Sequence, residues 1–192
     1  MEKQKLHILG EILESDSNAV AIVGSRKQSE KGEKTAYEFS YYLATKGITI
    51  VSGMAKGIDS VAHRAALEAG GRTIAVLGSG VDVIYPQENE SLYREIIKNG
   101  AVVSQFPMGT KPFAKNFLAR NKIIAELSRA VLVIEGARIS GTLSIASWAG
   151  KLGREVFAFP GSEITDYLIS EGATIANSPM QILEYLNGFD NS

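Results

Sequence analysis

The chain has 192 residues, room for one large domain with a substantial core and too few for two. Apolar residues make up 45% and charged residues 21%, the balance of a soluble globular protein, which excludes disorder and coiled coil. A net charge of −1, from 20 Lys and Arg against 21 Asp and Glu, argues against a protein that coats nucleic acid indiscriminately, and zero cysteines exclude disulfides and thiolate metal sites.

Met1 to Gly10 does not read as a signal peptide, and no run approaches a membrane-spanning length, so a cytoplasmic protein is expected. Residues 1–18 read as a short amphipathic helix carrying an exposed His7, followed by a polar linker from Ser15 to Asn18. Residues 19–192 read as a single α/β domain. Its strands are expected at Ala19–Gly24, Ile48–Val51, Thr73–Leu77, Ala101–Ser104, Ala130–Ile134 and Glu155–Phe159. Most are continuously apolar rather than alternating, as in parallel strands covered on both faces. Helical patterns fill the gaps at Lys31–Lys46, Ile58–Glu68, Asn89–Lys98, Phe117–Leu127 and Thr142–Leu152. Gly47, Gly70 and Gly100 stand where helices commonly terminate. Two shorter helical patterns follow, near Asp166–Ser170 and Met180–Leu186, with Thr174–Ala176 between them. Strand and helix alternating this often imply right-handed crossovers and a doubly wound, mostly parallel, Rossmann-like sheet.

In such sheets ligands sit beyond the carboxyl ends of the strands. The loops there are Gly24-Ser25-Arg26, Ser52 to Asp59, Gly78-Ser79-Gly80, Gly136 to Thr142, and Pro160-Gly161-Ser162. One glycine-rich loop is ordinary turn chemistry. Five on one edge, with hydroxyls and with Arg26, Lys56 and Arg138 among them, suit an anion such as phosphate. Six basic residues (Lys111, Lys115, Arg120, Lys122, Arg129, Arg138) against two acidic ones between Met108 and Arg138 add local positive charge, although a solvated face would show the same. Neither the dinucleotide fingerprint nor a P-loop is present.

Catalytic groupings are thin. Asp59 and His63 share a helix face and have the spacing of a general-base pair, but a helix-start role is favoured for Asp59. Ser140 and Ser162 lack a base partner and a nucleophile elbow. Two histidines leave no metal cluster, and no cofactor is expected. Glu135 is the carboxylate placed to face the ligand, or else to orient Arg138 or a loop amide. Arg120 and Asn121 are read into the first turn of their helix, displayed beside the anion site, with Phe117 in the core and Phe113 undecided between core and base stacking.

The same segments, in order, resemble the DNA-processing protein A (DprA/Smf) family, over roughly Ala19 to Ala173. The resemblance rests on Ala21–Arg26 ending in Gly-Ser-Arg, on Ser52-Gly53-Met54-Ala55-Lys56-Gly57-Ile58-Asp59-Ser60-Val61-Ala62-His63, on Tyr85–Asn89, on Phe117–Ser128, on Ser140–Leu143 and on Phe159-Pro160-Gly161. It implies a Rossmann-like domain that binds single-stranded DNA, forms homodimers, and helps load RecA recombinase in DNA uptake, recombination and natural transformation, without being an enzyme. By position it implies that Gly24, Ser25 and Arg26 form a phosphate turn, and that Ser52, Gly53, Ala55, Lys56 and Gly57 form a second loop. Arg120, Asn121 and Lys122 match a basic helix start, and Arg138, Ser140, Gly141 and Thr142 a late loop closing the pocket. Gln87 and Val83 stand where members often carry basic residues, Leu118 replaces a proline, Lys122 replaces an arginine, and the bridge after Pro-Gly shortens to Ser162–Ile169. Neither the N-terminal helical domain nor the C-terminal winged helix of many members is expected within these residues. The competing readings are a nucleotide sensor and a nucleoside-monophosphate phosphoribohydrolase. Against the hydrolase, Ser144 and Ile145 stand where its catalytic glutamate would be.

Overall fold

The apolar runs become strands because both of their faces are covered, as a computed structural model describing residues 5–189 makes plain. The strands are β1 (His7–Gly10), β2 (Ala19–Val23), β3 (Thr49–Ser52), β4 (Thr73–Val76), β5 (Gly100–Ser104), β6 (Ala130–Val133), β7 (Glu155–Ala158) and β8 (Thr174–Ile175). The helices are α1 (Glu30–Thr45), α2 (Ile58–Glu68), α3 (Glu90–Asn99), α4 (Ala114–Glu126), α5 (Gly141–Lys151), α6 (Glu163–Ser170) and α7 (Pro179–Phe189). The sheet order is β1-β5-β4-β3-β2-β6-β7-β8. Every pairing is parallel except that of β1 with β5. The doubly wound α/β sheet expected from the sequence is therefore the fold.

Alternation along each strand sorts the core into two faces. Val20, Ile22 and Ile50 pack against Phe39 and Leu43 of α1, Ile58 and Ala62 of α2, and Ile182 and Leu186 of α7. Ala21, Val23, Val51 and Val76 pack against Ile123 and Ile124 of α4, Ile145 and Ala149 of α5, and Ile164 of α6. A smaller group joins Ile96 and Leu92 of α3 to Ala75 and Val102. The small residues Ala19, Ala21, Ala75 and Ala101 let helices approach the sheet closely, which is why these strands carry alanine among the β-branched residues.

The N-terminal reading is corrected. Residues 7–10 form a strand rather than a helix, and Met1 to Gln4 lie outside the described residues. His7 aligns with Ser104 and Gly10 with Ala101, so β1 covers the open edge of β5, and His7 is half-buried rather than exposed. The physical reason is the period of two: His7 and Leu9 turn inward while Ile8 and Gly10 face out, a pattern that also scans as a fragment of helix. The supposed linker is a 3₁₀ turn, Glu14–Ser17. Its buried Asp16 accepts from Arg72 Nε at 2.8 Å and from Thr49 Oγ1 at 2.8 Å. Burial raises the Asp16 pKa, but Arg72, the Leu13 amide and Thr49 together hold it below the usual carboxylate range. Gly47 and Gly70 do end helices with φ of 77° and 70°, whereas Gly100 opens β5 in an extended conformation. β8, which the sequence reading left unassigned, extends the sheet beyond β7.

Candidate functional site

The strand order reverses at β2, which pairs with β3 on one side and β6 on the other. The loops leaving β2 and β6 run to opposite layers there, and a crevice opens between them. It is a cleft of about 530 Å³ whose lining includes nine of the fifteen residues read from the sequence: Gly24, Ser25, Arg26, Ala55, Arg120, Asn121, Ser140, Gly141 and Thr142. Phe117, Leu118, Ala137 and Ile145 supply its apolar wall.

The start of α5 shapes one side. Ser140 is its N-cap residue but makes no capping hydrogen bond, and its buried Oγ has no partner. The first amides of a helix have no partner within it, so Gly141 and Thr142 bring the positive end of α5 to the cleft wall. Asn121 Nδ2 donates to Gly141 O at 3.0 Å, and Thr142 Oγ1 donates to Gly24 O at 3.4 Å, which ties three segments together. Exposed Arg26 stands at the rim, its guanidinium 5.6 Å from the Phe117 ring.

The second loop serves as a buttress. Ser52 is buried and donates its hydroxyl to Ile22 O at 2.7 Å. Asp59 Oδ2 accepts from the amides of Gly53 (3.2 Å) and Ala55 (3.4 Å), so those donors turn inward. Burial raises the Asp59 pKa, with the Arg120 charge opposing that rise. The loop is further held by Asn89 Nδ2 donating to Met54 O at 2.9 Å, and Met54 itself is a buried, left-handed residue with φ of 63°. Gly57 has φ of 80°, and a Cβ there would run into the Ser25 carbonyl, so only glycine lets this loop support the Arg26 turn. Ile58 N donates to that same carbonyl at 3.1 Å.

Arg120 and Asn121 differ from their expected placement. Helix α4 starts at Ala114, so they fall in its second turn and are buried. The Arg120 guanidinium donates to Gly53 O at 2.6 Å and to Val76 O, bridging the ends of β3 and β4. Burial lowers its pKa to about 10, partly offset by Asp59, and it stays charged at neutral pH. Phe117 is a half-buried cleft wall rather than core, with Arg120 5.7 Å and Tyr85 5.6 Å from its ring. Phe113, undecided from the sequence, is exposed.

Three predicted residues lie outside the cleft lining. Lys56 pairs with Glu88. Lys122 pairs with Glu126 at 3.2 Å. Arg138 lays its guanidinium 4.2 Å from the centre of the Tyr167 ring. Glu135 takes up a loop amide, accepting from Ser29 N and Ser29 Oγ at 2.7 Å each, and so caps α1 through its N-cap serine. Asp59 and His63 do not pair. His63 Nδ1 lies 2.6 Å from Thr73 Oγ1, whose own proton goes to Ile50 O at 2.7 Å, so Nδ1 carries the hydrogen. Burial first, then Arg120 and Arg64, lowers the His63 pKa to about 3, and its Nε2 has no partner.

A model of the DNA recombination-mediator protein A family matches residues 3–187. The chain belongs to that family. It is 46% identical over 188 residues to Protein Smf of Escherichia coli (strain K12), covering 94% of this chain and 50% of that protein. It is 44% identical over 170 residues to DNA processing protein DprA of Streptococcus pneumoniae, covering 85% and 60% respectively. The chain thus spans about half the length of the curated relatives it matches. The solved structure of the Streptococcus pneumoniae protein superposes with a TM-score of 0.88 at 41% identity, over 93% of this chain and 65% of that one. That of Helicobacter pylori DNA processing protein A, described by its single-stranded DNA binding mode, gives 0.89 at 29% identity, over 98% and 90%. A molybdenum cofactor carrier protein of Chlamydomonas reinhardtii, at 22% identity and a TM-score of 0.65, shares the fold. Among the described residues no helix is long and apolar enough to cross a membrane.

Proposed function

We propose that the cleft holds the sugar–phosphate chain of single-stranded DNA and that this domain works by binding, not by catalysis. The uncapped start of α5, with the unpartnered Ser140 hydroxyl and the Arg26 rim, carries the reading. It offers amides, a hydroxyl and a guanidinium around a space that accepts an anion. The similarity to a Helicobacter pylori protein described as binding single-stranded DNA supports the same ligand. Gly24, Ser25, Arg26, Ser140, Gly141 and Thr142 make the phosphate contacts. Ser52, Gly53, Ala55, Gly57, Arg120 and Asn121 hold them in place. Homodimerisation, delivery of the strand to RecA recombinase and a cytoplasmic location complete the proposal.

The phosphoribohydrolase reading is disfavoured by the cleft wall, where buried, apolar Ile145 occupies the place such an enzyme needs for a carboxylate. Fluorescence anisotropy with a labelled oligothymidine tests the proposal. Unlabelled oligothymidine should displace the probe, while a nucleoside monophosphate at the same phosphate concentration should not. Equal displacement by the mononucleotide would assign the cleft to a small nucleotide instead, and release of free base from it would establish an enzyme.

A further inference from the structure

A scattered exposed apolar side chain needs no explanation. Here they are not scattered. The four most exposed large apolar side chains among the described residues are Ile139 (97%), Met108 (65%), Leu118 (57%) and Phe113 (55%). All four belong to carboxyl-edge segments: Met108 to the loop after β5, Phe113 and Leu118 to the start of α4, Ile139 to the loop after β6. Leu118 lines the anion cleft from α4, and Ile139 sits between Ala137 and Ser140, which line it from the opposite loop. Basic side chains interleave with them, as Lys111 and Lys115 lie on the α4 side without a carboxylate partner among the described residues, and Arg138 precedes Ile139.

An anion-binding cleft rimmed by apolar groups fits a polymer that carries apolar faces on a charged chain. We infer that Ile139, facing Leu118 and Phe113 across the cleft mouth, is a base-contacting wedge that seats nucleobases outside while their phosphates lie within. This rests on the single-stranded DNA reading and assigns its base-facing side. Aliphatic contact with a base face gains from apolar burial without hydrogen bonding, so the contact is indifferent to sequence. Covering about half of an isoleucine side chain corresponds to roughly a five- to tenfold change in affinity.

The experiment compares two labelled oligomers of equal length and charge, oligothymidine and an abasic sugar–phosphate chain, binding to the parent protein and to Ile139→Ala, Leu118→Ala and Arg26→Ala. Ile139→Ala and Leu118→Ala should weaken oligothymidine about five- to tenfold and leave the abasic chain unchanged, whereas Arg26→Ala should weaken both alike. Should Arg26→Ala weaken both oligomers while Ile139→Ala weakens neither, or both equally, the wedge is overturned and the phosphate site stands. If Arg26→Ala alters neither, the cleft reading fails and the wedge with it. Sedimentation of the DNA-free proteins completes the test: Ile139→Ala loosening self-association, with oligothymidine affinity unchanged, would give this rim to a second copy of the chain. Unchanged thermal melting of the variants is expected, since both side chains are exposed.

Discussion

Removing basic side chains one at a time separates a true phosphate site from a merely basic surface, because the structure divides them into two classes. Arg26, Lys27, Lys31, Lys111, Lys115 and Arg138 lie on carboxyl-edge segments with no carboxylate partner among the described residues. Lys56 and Lys122 lie on the same edge but are paired with Glu88 and Glu126. On single strands each neutralised phosphate contributes about 0.7 to the slope of log affinity against log salt. Full engagement of the unpaired set therefore predicts a slope near −4 (about 0.7 for each). Arg26→Ala should flatten it by about 0.7 and weaken binding roughly tenfold, the worth of one charged hydrogen bond. Lys56→Ala and Lys122→Ala should change the slope far less, since each lysine carries its counterion on the protein already. The assay is oligothymidine anisotropy across a salt series. A Lys56→Ala slope as flattened as that of Arg26→Ala, or an Arg26→Ala slope equal to the parent's, would refute the reasoning.

Other consequences concern the scaffold beneath the cleft. His63 has a folded pKa of about 3 against 6.5 unfolded, so the unfolded chain binds the extra proton between those values and stability falls as pH drops through them. From pH 7 to pH 5 this residue should cost about 2 kcal/mol in urea unfolding, and His63→Gln should remove that share; an equally acid-sensitive variant would count against it. Gly57→Ala should cost about 3 kcal/mol, seen as a lowered melting temperature, because alanine meets both a forbidden backbone region and the Ser25 carbonyl. Arg120→Met should destabilise by roughly 3–5 kcal/mol, since Gly53 O and Val76 O lose their donor and buried Asp59 its compensating charge. An Arg120→Met protein of parental stability that lost salt dependence instead would make Arg120 a direct phosphate ligand.

The sheet was legible because its strands are buried on both faces and therefore read as unbroken apolar runs such as Ala19–Val23 and Ala130–Val133. Edge strands lack that signature. β1 is half-exposed and β8 fully so, and neither rises above helical or turn alternatives in four and two residues. At the site, the carboxyl-edge rule identified the right loops, since glycine and hydroxyl residues cluster where backbone must approach backbone. It could not tell a donor aimed outward from one turned in. Gly53 and Ala55 carry amides that Asp59 consumes, and sequence spacing alone permitted Asp59 to serve His63 just as well. Phe117 was misplaced because a phenylalanine at helical spacing matches a core position equally well; its neighbours Arg26, Tyr85 and Arg120 come from three other places in the chain or fold and make it a cleft wall.

The burial of Arg120 explains why so distinctive a stretch as the second loop touches the cleft only through Ala55 and Asp59. A loop that ends two parallel strands has unpaired carbonyls and amides, and left to water they would let it fluctuate. Here Arg120 takes the carbonyls of Gly53 and Val76, Asp59 takes the amides of Gly53 and Ala55, and Asn89 takes the carbonyl of Met54. Gly57, pressed under Ser25, passes that rigidity to the turn that carries Arg26. The arginine and aspartate thus act on a ligand through position: an already ordered rim loses little entropy when a strand arrives, so more of each phosphate contact appears as affinity. It follows that the exposed basic side chains can vary while the buried pair cannot, since Arg26 is replaceable by another cation in place whereas Arg120 is held by geometry on every side.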